Sequence, residues 1–206
     1  MTMTDSTRTL TRTYPREAIL ERGSATFGLM GPADRDAVLA FAGELPHNDL
    51  LFLRLDITTP EGVDEWLGNI QAGRTITVLA YAEGAIVGYA SIHHNEALWN
   101  RHIGDIRVIV GSEYRRRGLG RRLTDEVFAI ARDIGLRKIT AQMTPDQKGA
   151  RVTFERLGFQ PEALLADFVV DRDGKTRDLL IMSHDLAGFT DVAYTRTAEA
   201  RPSRSD

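Results

Sequence analysis

Arg115-Arg116-Arg117-Gly118-Leu119-Gly120 joins an apolar run, Asp105–Val110, to an amphipathic one, Leu119–Ile134. In the second run Leu119, Leu123, Val127, Phe128, Ile130, Ala131 and Ile134 recur at three- and four-residue spacing, which predicts a helix with one core-facing stripe. In the first, Ile106, Val108 and Val110 alternate with Arg107 and Ile109, which predicts a strand. Glycines at a helix start let backbone N–H groups approach an anion, and the helix dipole adds positive potential there. Arg115, Arg116, Arg117, Arg121 and Arg122 crowd the same turn with charges suited to phosphate. A capped helix with a solvated arginine face is the plainer reading. Cations at a helix N-terminus are unfavourable without an anion, however, and this argues for a pyrophosphate site.

Two familiar phosphate motifs fail on single residues. A dinucleotide fold wants a third glycine where Leu123 stands, and an acid after the next strand, where Gln142 and Met143 stand. A P-loop wants Gly-Lys-Ser/Thr, and this turn reads Gly120-Arg121-Arg122. Nucleic acid would want basic residues spread over a face with stacking aromatics; only Tyr114 is close to this single cluster.

Working outward, Lys138–Met143 reads as a strand and Gln147–Leu157 as a helix, with Gly158 placed for a left-handed cap. Ala163–Val170 and Thr176–Ser183 are strands around the turn Asp171-Arg172-Asp173-Gly174. Upstream, Ala25–Met30 is a short strand and Ala33–Glu44 a helix, with Asp34 and Asp36 in its first turn. Leu45–Thr58 has no readable period. Thr59-Pro60-Glu61 starts a helix that carries Val63, Trp66, Leu67 and Ile70, with Thr59 as cap and Pro60 at its first position. Thr75–Ala82 and Ala85–His93 form a hairpin about Glu83-Gly84. The order βααβββαβαββ predicts one α/β (α+β) domain with a mixed sheet over residues 24–187. Residues 1–23 and 188–206 read as disordered arms, too poor in apolar side chains to offset ordering entropy.

The 206-residue chain is 42% hydrophobic and carries a net charge of −3, so its bulk balance asks for neither nucleic acid nor a membrane. No apolar run approaches the roughly 20 residues of a membrane span. The absence of cysteine removes disulfides, thiolate metal sites and a cysteine nucleophile. These features suit a cytoplasmic protein.

Two motifs in register carry a resemblance. Asp105 through Gly120 resembles the acetyl-CoA motif [Gln/Arg]-x-x-Gly-x-[Gly/Ala] of the GNAT acetyltransferase superfamily. Gln147-x-x-Ala150-x-x-x-Phe154-Glu155-Arg156-Leu157-Gly158-Phe159 resembles that family's second motif. Among its members the chain is similar in motif to bacterial protein-lysine acetyltransferases. The resemblance implies a centrally splayed mixed sheet of about seven strands flanked by helices. Acetyl-CoA is then the co-substrate, with no metal, and a homodimer is compatible with the family. The backbone of Val108, Ile109 and Val110 would pair with the pantetheine arm. The turn Arg116, Arg117, Gly118, Leu119, Gly120 and Arg121 would hold the pyrophosphate, with Arg115 as first motif residue. Gln147 falls where many members have an Asn that contacts the cofactor arm. Phe154 falls where many place a Tyr that protonates the leaving thiolate, and it has no proton to give.

Only a free amine attacks a thioester, so a base is needed. Asp105 takes that role by the resemblance, ten residues before Arg115, where similar protein acyltransferases carry Glu. His93, His94 and Glu96 are the alternative bases. Adjacent strand histidines point to opposite faces and do not share a metal comfortably. Trp99 and His102 either line the acceptor site or cover the sheet edge. Leu45–Thr59 and the Asp171–Gly174 turn are the expected walls of the acceptor pocket, where Asp49 and Asp56 could attract a cationic amine. The reaction implied is acetyl transfer to a primary amine, a protein lysine or a small molecule, by direct attack in a ternary complex. A non-catalytic acyl-CoA-binding regulatory module is the rival reading.

Overall fold

The computed structural model describes residues 10–50, 53, 55–95, 99–171 and 174–186. Eight strands form one sheet in the order β1-β2-β3-β4-β5-β6-β8-β7. They are β1 (Arg16–Ile19), β2 (Ser24–Leu29), β3 (Thr75–Ala82), β4 (Ala85–His93), β5 (Ile103–Val110), β6 (Lys138–Met143), β7 (Gln160–Val170) and β8 (Thr176–Asp185). The helices are α1 (Arg35–Gly43), the single turn α2 (His47–Leu50), α3 (Pro60–Gln71), α4 (Leu119–Asp133) and α5 (Lys148–Arg156). Every strand pair is antiparallel except β5 with β6.

The apolar stripe of α4 buries Leu119, Leu123, Val127 and Ile130 against Phe27, Val78, Ala90, Ile92 and Ile139 on one face of the sheet. On the opposite face α1 and α3 enclose a second core of Val38, Phe41, Val63, Trp66, Leu79 and Tyr89. A side-chain relay ties α3 to the sheet. Trp66 Nε1 donates to Thr77 Oγ1 at 3.1 Å, which lies 2.8 Å from Ser91 Oγ. The expected start of α3 holds, with Gly62 N donating to Thr59 Oγ1 at 3.1 Å behind Pro60. Asp34 serves differently from expectation. It stands in a 3-10 turn before α1, accepting from Gly31 N at 2.8 Å and Tyr81 Oη at 2.6 Å.

The N-terminal boundary expected at residue 24 is corrected by the structure. Residues 16–19 form β1, paired with β2 from Arg16↔Phe27 to Ile19↔Ser24. The segment before β1 crosses α4, where Glu126 is only 4% exposed. Its carboxylate receives Arg12 Nη1 at 2.8 Å, Arg16 Nη1 at 3.1 Å and Tyr14 Oη at 2.8 Å. Composition hid this, because the ion pairs to one buried acid are joined by only a few apolar contacts, Leu10, Tyr14, Ala18 and Leu20, that follow no readable period. Sheet strand number thus rises from about seven to eight. Residues 1–9 and 187–206, the remainder of the expected arms, lie outside the described residues.

Removing a buried charged acceptor leaves its donors uncompensated. Glu126→Ala should lower unfolding free energy by about 2 kcal/mol, read as a reduced urea midpoint at unchanged slope.

Candidate active site

The site begins where β5 and β6 part. They pair for three rungs only, Ile103↔Lys138, Gly104↔Ile139 and Asp105↔Thr140. Beyond the last rung β5 continues to Val110 beside β4, while β6 continues to Met143 beside β8. The unpaired inner edges open a wedge between the two halves of the sheet.

A cavity of about 540 Å³ occupies the wide end, lined by Val108, Ile109, Val110, Arg115, Gly120, Gln147 and Phe154 among others. Seven residues expected from sequence to contact the cofactor thus meet at one place. Arg116, Arg117, Gly118, Leu119 and Arg121 do not line it; they form the turn at its rim. Leu119 is 1% exposed and packs into the core, so its side chain is structural. The Arg117 guanidinium sits 4.5 Å over the Tyr114 ring. Arg115 is committed to the protein: Nε donates to Val110 O at 3.1 Å, and Nη2 pairs with Asp49. It braces the strand end rather than standing free for phosphate.

The turn itself has the backbone for an anion. Arg116 has φ 58° and Gly118 φ 82°, and the first helical bond runs from Arg122 N to Gly118 O at 3.1 Å. The preceding amides belong to the helix end that has no intrahelical acceptors. A Cβ on Gly118 would require the left-handed region from a residue that resists it, and would stand 3.5 Å from Glu21 Cγ. A Cβ on Gly120 would stand 3.6 Å from Val110 Cγ2, an ordinary contact. This accounts for a motif that fixes the first glycine and accepts Gly or Ala at the second.

α5 and the residues that lead into it supply cavity walls that sequence reasoning missed. Asp146, Lys148, Gly149, Ala150 and Thr153 line the same cavity, as does Asp49 from α2. The signal available was Lys148 beside the helix start, a cation near the expected phosphates. Gln147 turns its side-chain oxygen to Thr144 N at 3.1 Å, which fixes the entry of α5. Phe154 stacks edge-on against Phe159, with ring centroids 4.9 Å apart, behind the left-handed Gly158 at φ 88°. Its ring walls the cavity and supplies no acid.

The narrow end of the wedge continues into a smaller cavity of about 80 Å³ that shares Asp49, Val108, Gln147 and Phe154 with the first. Gln142 then belongs both to this space and to a cavity of about 510 Å³ on the α3 side, lined by Glu65, Trp66, Arg74, His93, His94, Asp105 and Thr140 among others. Asp105, on the last rung before this fork, lines the α3-side cavity, 9% exposed, with Thr140 Oγ1 donating to its Oδ1 at 3.1 Å. His93 is its cross-strand neighbour on β4, with Nδ1 2.9 Å from Thr75 Oγ1. His93 and His94 both line this cavity although they are adjacent, because β4 ends at His93 and strict alternation ends with it.

Other sequence candidates fall elsewhere. Asp56 closes its own loop, accepting from Thr58 N at 3.2 Å, and Asp49 faces the cofactor side. Trp99 is 88% exposed and lines no described cavity. Asp171 closes the β7–β8 turn by accepting from Lys175 N at 2.9 Å and Arg177 Nε at 3.1 Å, with no part in the acceptor cavity. Glu96 lies outside the described residues. Among the described residues no group of three or more His, Cys, Asp or Glu is placed to hold a metal ion.

A wedge-split sheet with a glycine turn at its wide end defines an acyl-CoA-using transferase, and comparison with known proteins agrees. Residues 45–159 match the Acetyltransferase (GNAT) family, and the chain belongs to that family. It is 24% identical over 164 residues to a Bacillus subtilis (strain 168) protein named "Putative phosphinothricin acetyltransferase YwnH", covering 79% of this chain and 99% of the relative. A ribosomal-protein-alanine N-acetyltransferase of Brucella melitensis superposes with TM-score 0.66 at 25% identity, over 77% of this chain and 98% of the other. The yncA protein of Salmonella typhimurium, solved with its cofactor acetyl-CoA, superposes with TM-score 0.66 at 21% identity, over 79% and 94%. The expected nearness to protein-lysine acetyltransferases is not carried by these relatives, whose names point to other acceptors or to none. The chain is an acetyl-CoA-dependent N-acetyltransferase of the GNAT family.

Gly118→Ala should reduce the thermal shift given by acetyl-CoA and destabilise the apoprotein by about 1–2 kcal/mol. Gly120→Ala should leave the fold intact, and paired melting curves with and without acetyl-CoA distinguish the two.

Proposed function

We propose that the chain acetylates the primary amine of a small molecule by direct attack within a ternary complex. One observation carries this reading: Asp105 lines the acceptor-side cavity at the rung where the donor wedge opens. Residues 108–110 and the glycine turn would hold acetyl-CoA from the wide end, with its thioester directed to the fork. The 510 Å³ volume suits a small molecule, within the usual range of such sites. The name of the Bacillus subtilis relative, which gives phosphinothricin as its acceptor, supports the same acceptor class.

The amine enters as an ammonium. Asp105 takes its proton, directly or through one water, since Asp is a methylene shorter than Glu. The nitrogen then attacks the thioester carbon, sheds its second proton to water, and the C–S bond breaks so that CoA leaves as a thiolate. A thiolate is a tolerable leaving group, so Phe154 in place of a hydroxyl is compatible with turnover; water protonates the sulfur. Rate acceleration comes from alignment of amine and thioester, with backbone N–H groups of β5 polarising the carbonyl.

A protein amine is the second reading, favoured by the alanine N-acetyltransferase relative. Free-CoA release across a panel of small amines and peptides separates the two. Turnover of peptides alone would overturn the small-molecule assignment. With Kd near 10 µM, 1 mM acetyl-CoA should stabilise the protein by about 2.7 kcal/mol. That shift without CoA release from any amine would instead identify a cofactor-binding regulator.

Asp105→Asn should cut kcat/KM for the amine by about 10²- to 10⁴-fold while the acetyl-CoA thermal shift is kept. Raising the pH should recover part of the loss, because more amine is then already deprotonated. Unchanged activity at neutral pH would remove Asp105 from the role of base.

A further inference from the structure

Along β5 the side chains at 105, 107 and 109 share one face, the face toward α3. Asp105 has a part in the proposed reaction, and Ile109 is core. Arg107 has no such explanation. It is half-buried and borders two spaces. One is a small cavity against Leu55, Trp66, Tyr89 and His93; the other is the narrow end of the wedge beside Gln142 and Phe154.

Among the described residues its guanidinium has neither an ion pair nor a hydrogen bond. A guanidinium drawn partly out of water normally finds an anion. The surrounding groups do not supply one. Asp49 shares the wedge cavity but is paired with Arg115. Asp105, two residues back on the same strand, accepts from Thr140 and would meet the amine. From β4, Ser91 is its cross-strand neighbour, flanked by His93 and Tyr89. Burial pushes the Tyr89 phenol well above its ordinary value, and nearby Arg107 pulls it back only partly, so it is neutral at working pH. The facing residues of α3 and the segment before it, Trp66, Leu55 and Leu53, are apolar. The cation is left bordering two small spaces that adjoin the acceptor-side cavity, one through Trp66 and His93 and the other through Gln142.

We propose that Arg107 binds an oxyanion carried by the acceptor, making the acceptor a zwitterion with a carboxylate or phosphorus oxyanion close to its amine. This rests on the acetyltransferase reading above. Residues i and i+2 of a strand lie about 7 Å apart with side chains on the same face, a span that one small ligand can bridge. An amino acid whose nitrogen is held at Asp105 therefore brings its anionic group within reach of Arg107. A bidentate guanidinium contact would hold the acceptor with the nitrogen's single lone pair toward the thioester, so Arg107 selects the substrate and orients it.

The test uses the full chain with acetyl-CoA and matched acceptors: amino acids, their amino alcohols, the decarboxylated amines, and aminophosphonates. The wild type should prefer the anionic member of each pair in kcat/KM. Carboxylate against phosphonate identifies the anion. Arg107→Gln should reduce that preference by about 10- to 100-fold, mainly through KM of the acceptor, and Arg107→Lys should restore part of it. Melting curves and the acetyl-CoA shift verify that both variants fold and hold the donor. Equal use of anionic and neutral acceptors by the wild type would overturn the assignment alone, leaving the enzyme reading intact. So would a fall in kcat that is equal for every acceptor in Arg107→Gln, which would put the guanidinium on the thioester carbonyl. If the wild type acetylates nothing in the panel while still binding acetyl-CoA, the small-amine reading falls and takes this one with it.

Discussion

The rung Asp105↔Thr140 is the last at which the two halves of the sheet are hydrogen-bonded. Everything functional follows from its being last. Strand edges past it carry backbone donors and acceptors that sheet pairing leaves unsatisfied, and such groups demand partners. An extended ligand with amides of its own fits that demand. The same rung places a carboxylate at the floor of the wedge, where the ligand's reactive end would stop. Binding and chemistry are thus set by one topological event: a parallel pairing too short to close the sheet.

Both halves rest on one helix-covered core, which spans the split beneath them. α4 packs against β3, β4 and β5, and its Phe128 reaches the other half through the ring cluster with Phe159 and His184 of β8, onto which Phe154 of α5 also packs. Arg115 then fixes the wide end by holding both the terminal carbonyl of β5 and Asp49 of α2. The gap is therefore present in the protein without ligand.

Much of this was legible in the chain. The helical stripe of α4, the glycine pair at its start and the capped entry of α3 are local signals, and local signals survive folding. Asp105 could be placed by its register ahead of Arg115, although its neighbours could not, because His93, Thr140 and Trp66 are brought to it by sheet pairing alone. Asp49 was misread for the same reason: an acid in an unpatterned stretch gives no hint that it faces an arginine 66 residues away. β1 went unseen because Arg12, Tyr14 and Arg16 are held by polar bonds to a single buried glutamate, a device with no hydrophobic period. Arg107 was read as a mere alternation partner, since a strand pattern reports which face a side chain takes and not whether a counter-charge awaits it.

The N-terminal strap has one more contact, from Glu21 N to Arg117 O at 2.9 Å. The matched family segment begins at residue 45, so this brace comes from outside it. The phosphate turn of this chain is therefore not a self-contained module. Grafting residues 45–159 into another scaffold, or trimming the chain to its most recognisable part, would carry over every signature residue of the turn. It would leave behind the β1–β2 connection whose Glu21 N–H holds the Arg117 carbonyl. What defines the family and what makes the turn rigid lie on different stretches of the polypeptide, and they can diverge separately.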